Sequence, residues 1–122
     1  MNKCIIGIGS NLDAETNIEK MLEILAEKVE VVSISSFLET KPLGITEQPD
    51  FLNGAVKIHT SFPLEELNRL LKNIEDELGR DRTTPKFGPR TMDLDIVVWN
   101  DEIIDPDYYT RDFLKSAVDQ LR

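Results

Sequence analysis

The chain is 122 residues long, 40% apolar and 7% aromatic, which is enough for one domain around one compact core. Its net charge of −9 argues against general affinity for nucleic acid, where binding depends on lysine and arginine displacing counterions. No apolar run approaches the roughly 20 residues of a membrane span, and the opening MNKCIIGIGS turns polar too quickly for a signal peptide, so a cytoplasmic protein without membrane association is expected.

In chain order, a first strand is predicted over residues 3–8, ending at the turn-forming Gly9-Ser10-Asn11. Cys4 lies among isoleucines and reads as a buried strand residue rather than a reactive thiol. A helix follows, with Asp13 as N-cap and Ile18, Met21, Leu22 and Leu25 on its apolar face. A second strand is expected over residues 29–39. The stretch 41–49, with two prolines and a glycine, then makes a long loop. Residues 54–60 form a third strand, with Val56 and Ile58 on one face and Lys57 and His59 on the other. His59 is the only histidine, and its face gives it no chemical role. Pro63 suits the first position of a second helix, whose apolar face carries Leu67, Leu71 and Ile74 and which Gly79 ends. A fourth strand alternates Asp93, Asp95 and Val97 with Leu94, Ile96 and Val98. A short closing helix covers residues 116–122. The order β-α-β-β-α-β matches the ferredoxin-like plan, an antiparallel four-stranded sheet with both helices on one face, in a single domain over residues 1–122.

The chemistry concentrates between Gly79 and Asp95. From Gly79 to Thr91 this acidic chain carries a net +3, from Arg80, Arg82, Lys86 and Arg90 against Asp81. Such a cluster suits an anionic ligand, although pairing with acidic neighbours would also accommodate it. Asp93 and Asp95, at i and i+2 of a strand, project from one face about 6.5 to 7 Å apart. Adjacent carboxylates repel, and a hard divalent cation relieves them; Mg²⁺ is the natural candidate, held by one or two carboxylates together with substrate phosphates. Surface ion pairs with the arginines would be the plainer explanation of an Asp-x-Asp alone. The basic cluster beside it favours phosphoryl-type transfer, in which positioning and charge stabilisation dominate.

Several runs resemble the 6-hydroxymethyl-7,8-dihydropterin pyrophosphokinase family: Gly9-Ser10-Asn11, the segment from Glu39 to Gly44, the segment from Gln48 to Asn53, Gly79-Arg80-Asp81-Arg82, and, most specific, the run from Phe87 to Asp95. The resemblance covers nearly all of residues 3–104. It implies transfer of pyrophosphate from ATP, the co-substrate, to a hydroxymethyldihydropterin, with release of AMP. It places Arg80, Arg82, Arg90, Asp93 and Asp95 in the catalytic machinery, and two Mg²⁺ ions on Asp93 and Asp95. It adds Glu75, Ile96 and Arg111 to the three arginines as ATP-binding residues, and sets Thr40, Leu43, Phe51, Asn53, Phe87 and Phe113 around the pterin. Taken alone, Phe51 and Phe87 read equally well as core. The partners implied are these small molecules, with no nucleic acid or membrane. Phe87 stands where the family usually has tryptophan, and the family's later His-Pro segment has no counterpart, which brings Arg111 and Phe113 forward. That departure keeps a second reading open, a pterin- or nucleotide-binding module of the same fold with little or no turnover. The retained carboxylate pair argues for the enzyme, since crowded charge without a use destabilises a fold.

Overall fold

The computed structural model describes residues 1–42, 44–83 and 88–122. Strand β1 (Asn2–Ser10) leads into helix α1 (Ala14–Lys28), then β2 (Glu30–Ile34), β3 (Leu38–Thr40), β4 (Phe51–Thr60), helix α2 (Leu64–Glu77), β5 (Asp93–Trp99), β6 (Glu102–Ile103), and two final helices, α3 (Asp107–Thr110) and α4 (Asp112–Asp119). The strands form one antiparallel sheet in the order β2-β4-β1-β5-β6, with β3 also paired to β4. β4 lies between β1 and β2, and β1 between β4 and β5, so each βαβ unit is split by a strand of the other. This is the arrangement that the predicted element order demands.

The strand count differs from the four expected. Residues 35–37 leave the ladder, where the Ser35 hydroxyl accepts the Ala55 N–H at 2.8 Å, and the predicted second strand divides into β2 and β3. Asn100 and Asp101, at φ 49° and 71°, make a two-residue turn of the kind hairpins favour and fold β6 onto β5. β4 also begins earlier than expected, at Phe51.

Even-numbered residues of β1, Cys4, Ile6 and Ile8, face α1 and α2 and pack with Met21, Leu25, Leu67, Leu71 and Ile74 into the larger core. Burial pushes the Cys4 thiol up to about 12, so it is a core residue, as its neighbours imply. The opposite face is covered as well, which the one-sided plan did not anticipate. Ile5, Ala55, Val97 and Val98 pack there beneath Tyr108, Ala117 and Val118 of the two last helices and Leu121 just after them. The closing helix starts at Asp112, four residues before the predicted start. A register shift opposite Ile5 and Ile6 bulges β5, so consecutive Val97 and Val98 both turn to the α4 side in place of strict alternation.

Asp13 precedes α1 as expected, but in a left-handed conformation and without a side-chain cap; Asn17 instead donates to the Leu12 carbonyl at 2.7 Å. α2 ends as its glycine predicts. Gly79, at φ 83°, lets its own N–H bond the Asp76 carbonyl at 3.0 Å and the Arg80 N–H bond the Glu75 carbonyl at 3.1 Å. This closing turn sends Arg80 back across the helix end, toward Glu75 and β5.

Candidate functional site

A cleft of about 210 Å³ opens on the α4 side of the sheet. Its floor follows from strand register. Gly9 of β1 is flanked by Asn53 of β4 and Asp93 of β5, and one step along Gly7 is flanked by Ala55 and Asp95. The missing β-carbons on β1 leave room between the carboxylates and Asn53: a Cβ at Gly9 would stand 3.3 Å from Asn53 Oδ1, and one at Gly7 would stand 3.0 Å from Leu114 Cδ1. Asp93 and Asp95 share the cleft face, while Leu94 and Ile96 turn into the α1/α2 core, as the pleat requires.

Asn53 donates to the Thr40 hydroxyl at 2.6 Å, and both face the cleft with Phe51. Phe113 and Arg111, from the start of α4, line the opposite wall, and Arg90 joins from the segment before β5. Eight of the residues singled out by sequence, Thr40, Phe51, Asn53, Arg90, Asp93, Asp95, Arg111 and Phe113, thus surround one space. Leu43 and Phe87 lie outside the described residues. Sequence reasoning missed Lys41, Asp105 and Asp107 on the wall, although Asp107 is bracketed with Arg111 by an i,i+4 ion pair at 3.6 Å. The alternating glycines Gly7 and Gly9, rare within a strand, were the available signal for the floor.

Desolvation on the cleft floor, followed by repulsion from Asp93, pushes the Asp95 carboxyl up to about 6, while Lys72 opposes the shift and Asp105 and Glu75 add to it. The Asp95 side chain is still 55% exposed, so water screens part of this penalty.

The remaining predicted residues stand behind β5 and do not line the cleft. Glu75 of α2 is fully buried, with both oxygens engaged. Its Oε1 lies 3.2 Å from Arg80 and 3.1 Å from Arg82, and its Oε2 accepts the Leu94 N–H at 2.7 Å and the Lys72 ammonium at 3.3 Å. Arg80 also reaches the Met92 carbonyl and Asp93 Oδ1, each at 3.2 Å, and Arg82 reaches Asp76 at 2.9 Å. Pairing with acidic neighbours, the alternative that the sequence left open, therefore holds for Arg80 and Arg82 in this structure. Ile96 packs against the α1/α2 core. His59 sits at the other end of β4, opposite Lys3, with Glu30 at 3.8 Å.

Ser10 and Asn11, at the end of β1, hold the segment that brings Arg90 to the cleft. Ser10 Oγ donates to the Thr91 carbonyl at 2.6 Å, and Asn11 Oδ1 accepts the Arg90 N–H at 2.8 Å. Asn11 Nδ2 donates to Gln48 Oε1 at 2.8 Å and to the Pro49 carbonyl at 2.9 Å. One buried amide thereby ties the β1–α1 turn to the two loops that carry Gln48 and Arg90.

The antiparallel sheet with helices on both faces, and an Asp-x-Asp pair that shares one cleft with Phe51 and Phe113, define a mixed α/β protein with an acidic, aromatic-lined cleft. The chain belongs to the 7,8-dihydro-6-hydroxymethylpterin-pyrophosphokinase family, whose model matches residues 5–122. It is 44% identical over 107 residues to the 2-amino-4-hydroxy-6-hydroxymethyldihydropteridine pyrophosphokinase of Bacillus subtilis (strain 168), covering 85% of this chain and 64% of that protein. It is 40% identical over 100 residues to the enzyme of the same name from Aquifex aeolicus (strain VF5), covering 81% of this chain and 62% of that one. Similarity also extends to the folate synthesis bifunctional protein of Arabidopsis thaliana, 36% identical over 97 residues, 78% of this chain and 20% of the plant protein. The matched region spans less than two thirds of the length of these relatives. No helix among the described residues is long and apolar enough to cross a membrane.

Proposed function

We propose that the chain transfers pyrophosphate from ATP to the hydroxymethyl group of 6-hydroxymethyl-7,8-dihydropterin, with release of AMP. The observation that carries this reading is the convergence of the Asp93–Asp95 pair with Phe51, Phe113 and Asn53 on one cleft. In the reaction, the hydroxymethyl oxygen bonds to the β-phosphorus as the bond from that phosphorus to the α,β-bridging oxygen breaks. AMP leaves with the bridging oxygen, and the hydroxyl proton is released to water.

The chain's residues divide this work by chemistry. Phe51 and Phe113 offer faces for a flat heterocycle, and the Asn53 amide with the Thr40 hydroxyl offers donors and acceptors to its edge. Leu43 and Phe87 join this group on the resemblance. Arg90, Arg111 and Lys41 supply positive charge to the triphosphate from the cleft wall, and Arg82, 44% exposed, extends it along the outer edge of β5. Arg80 acts on Asp93, and Glu75 and Ile96 complete the nucleotide side from behind the strand.

The donor set fits Mg²⁺. The described residues hold no group of three or more metal-ligating side chains, and a cation that takes one or two carboxylates and completes its shell from water and phosphates needs none. Asp93 and Asp95 would hold it, two ions on the resemblance, and when bound it supplies neutralisation of charge on the phosphate oxygens. Repulsion between the two carboxylates, part of what raises Asp95, is what such a cation relieves.

Equilibrium titration of 6-hydroxymethylpterin, followed by its fluorescence in the presence of MgCl₂ and α,β-methylene ATP, tests the site. Saturable binding that F113A and N53A weaken is expected. Binding that both variants leave intact would place the pterin elsewhere.

A further inference from the structure

The β5 edge carries a second device. On one side β5 pairs with β1; on the other, among the described residues, β6 pairs with Val98 and Trp99 and the Ile104 N–H reaches the Val97 carbonyl, and no strand pairs further toward Asp93. The stretch carrying Asp93 and Asp95 therefore runs along an open edge. There an unpaired N–H and C=O must find partners or be left wanting. Leu94 points off this edge, and both of its backbone groups are met by side chains of α2. Its N–H donates to Glu75 Oε2 at 2.7 Å, and its carbonyl accepts from Lys72 Nζ at 3.1 Å. Two side chains one helical turn apart thus supply the bonds of an absent strand.

The same pair governs the charges on either side. Lys72 Nζ lies 3.8 Å from Asp95 Oδ1, and Arg80, held on the other Glu75 oxygen, lies 3.2 Å from Asp93 Oδ1. One buried carboxylate therefore holds Leu94 between the two aspartates and a cation beside each. Stability alone gives little reason for this arrangement. Glu75 is wholly buried next to Leu71 and Ile74, where an apolar side chain would pack without the desolvation cost of an ion cluster.

We infer that Glu75 and Lys72 are positioning residues, which close the open edge of β5 at Leu94 and so fix the spacing and aim of Asp93 and Asp95 toward a divalent cation and its triphosphate. The inference rests on the proposal that this pair serves a metal-bound nucleotide.

K72M tests this directly, because Lys72 is 37% exposed and its aliphatic stem survives the change. In the ligand-free variant, amide hydrogen exchange at Leu94 is expected to rise at least tenfold while Ile6 and Val56 keep their protection. Calorimetric titration with MgCl₂ and α,β-methylene ATP should show affinity reduced about tenfold, with pterin affinity unchanged, and K72R should restore most of both. E75Q should act in the same direction and more strongly; if it fails to fold, K72M and K72R carry the test. Unchanged Leu94 exchange in K72M would overturn the inference. So would unchanged or tighter binding of the magnesium nucleotide, since Lys72 would then be only a charge competing with the cation. A wild-type protein that binds no magnesium nucleotide would instead sink the proposed function, and Leu94 exchange would still report whether the clamp is structural.

Discussion

Replacing Asn11 with alanine removes three hydrogen bonds through which one buried amide, 3% exposed, ties the β1–α1 turn to the segments that carry Gln48 and Arg90. The bonds are not equivalent. The Arg90 N–H is half-buried and loses a 2.8 Å acceptor, and an orphaned donor of this kind costs about 1–3 kcal/mol. Gln48 and Pro49 lie nearer water, which takes over part of what Asn11 gave them, so each adds less than about 1 kcal/mol. The sum is about 3 kcal/mol. For 122 residues, an unfolding entropy of about 2.1 cal/mol/K per residue turns this into a fall in Tm of roughly 12 °C. Scanning calorimetry of wild type, N11A and N11D measures it. Aspartate keeps an acceptor for Arg90 but sets a carboxylate against Gln48 Oε1 and the Pro49 carbonyl, so at pH 7 N11D should lose at least as much as N11A. A fall under about 3 °C for N11A, or an N11D that melts like wild type, would refute the reasoning.

Asp95 gives a pH dependence whose sign is opposite to that of most carboxylates. Its folded value near 6 lies above the ordinary 3.8, so the native state holds the proton more tightly than the unfolded chain, and this contribution to stability is lost as pH rises through 6. Without divalent cations, D95N should melt above wild type at pH 7, with the gap closing toward pH 4; a gap independent of pH would contradict the assignment. A Cβ at Gly54 would stand 2.6 Å from the Phe37 ring, whereas one at Gly7 meets the flexible end of Leu114 at 3.0 Å. G54A should therefore cost about 2–3 kcal/mol and G7A about 1 kcal/mol in chemical denaturation, and the reverse order would be wrong for this packing. F113A removes one aromatic face and should weaken pterin binding roughly three- to tenfold with nucleotide affinity unchanged, as titration of each ligand would show.

Much of the frame was legible because its signals are local. The leucines of α2 recur at helical spacing between Pro63 and Gly79, and Asp93-Leu94-Asp95 fixes which side chains leave the core. The cover over the second face was harder to read. α3 is four residues long and α4 eight, too short for periodicity to locate their starts, and the apolar surface they bury includes Val98, which reaches that face beside Val97 only through a bulge. β3 and β6 are shorter than any alternation pattern can register. Glu75 precedes Asp76 and Glu77, and such an acidic run reads as solvated. Its burial becomes visible only once the turn at Gly79 returns Arg80 and Arg82 to it, a tertiary event.

The most direct measurement is chromatographic quantification of AMP when ATP, MgCl₂ and 6-hydroxymethyl-7,8-dihydropterin are incubated with the protein. The account predicts AMP in equimolar amount with the pterin diphosphate, formed only when pterin is present and lost in D95N. Binding of both ligands without AMP would contradict turnover and leave a binding module in this fold.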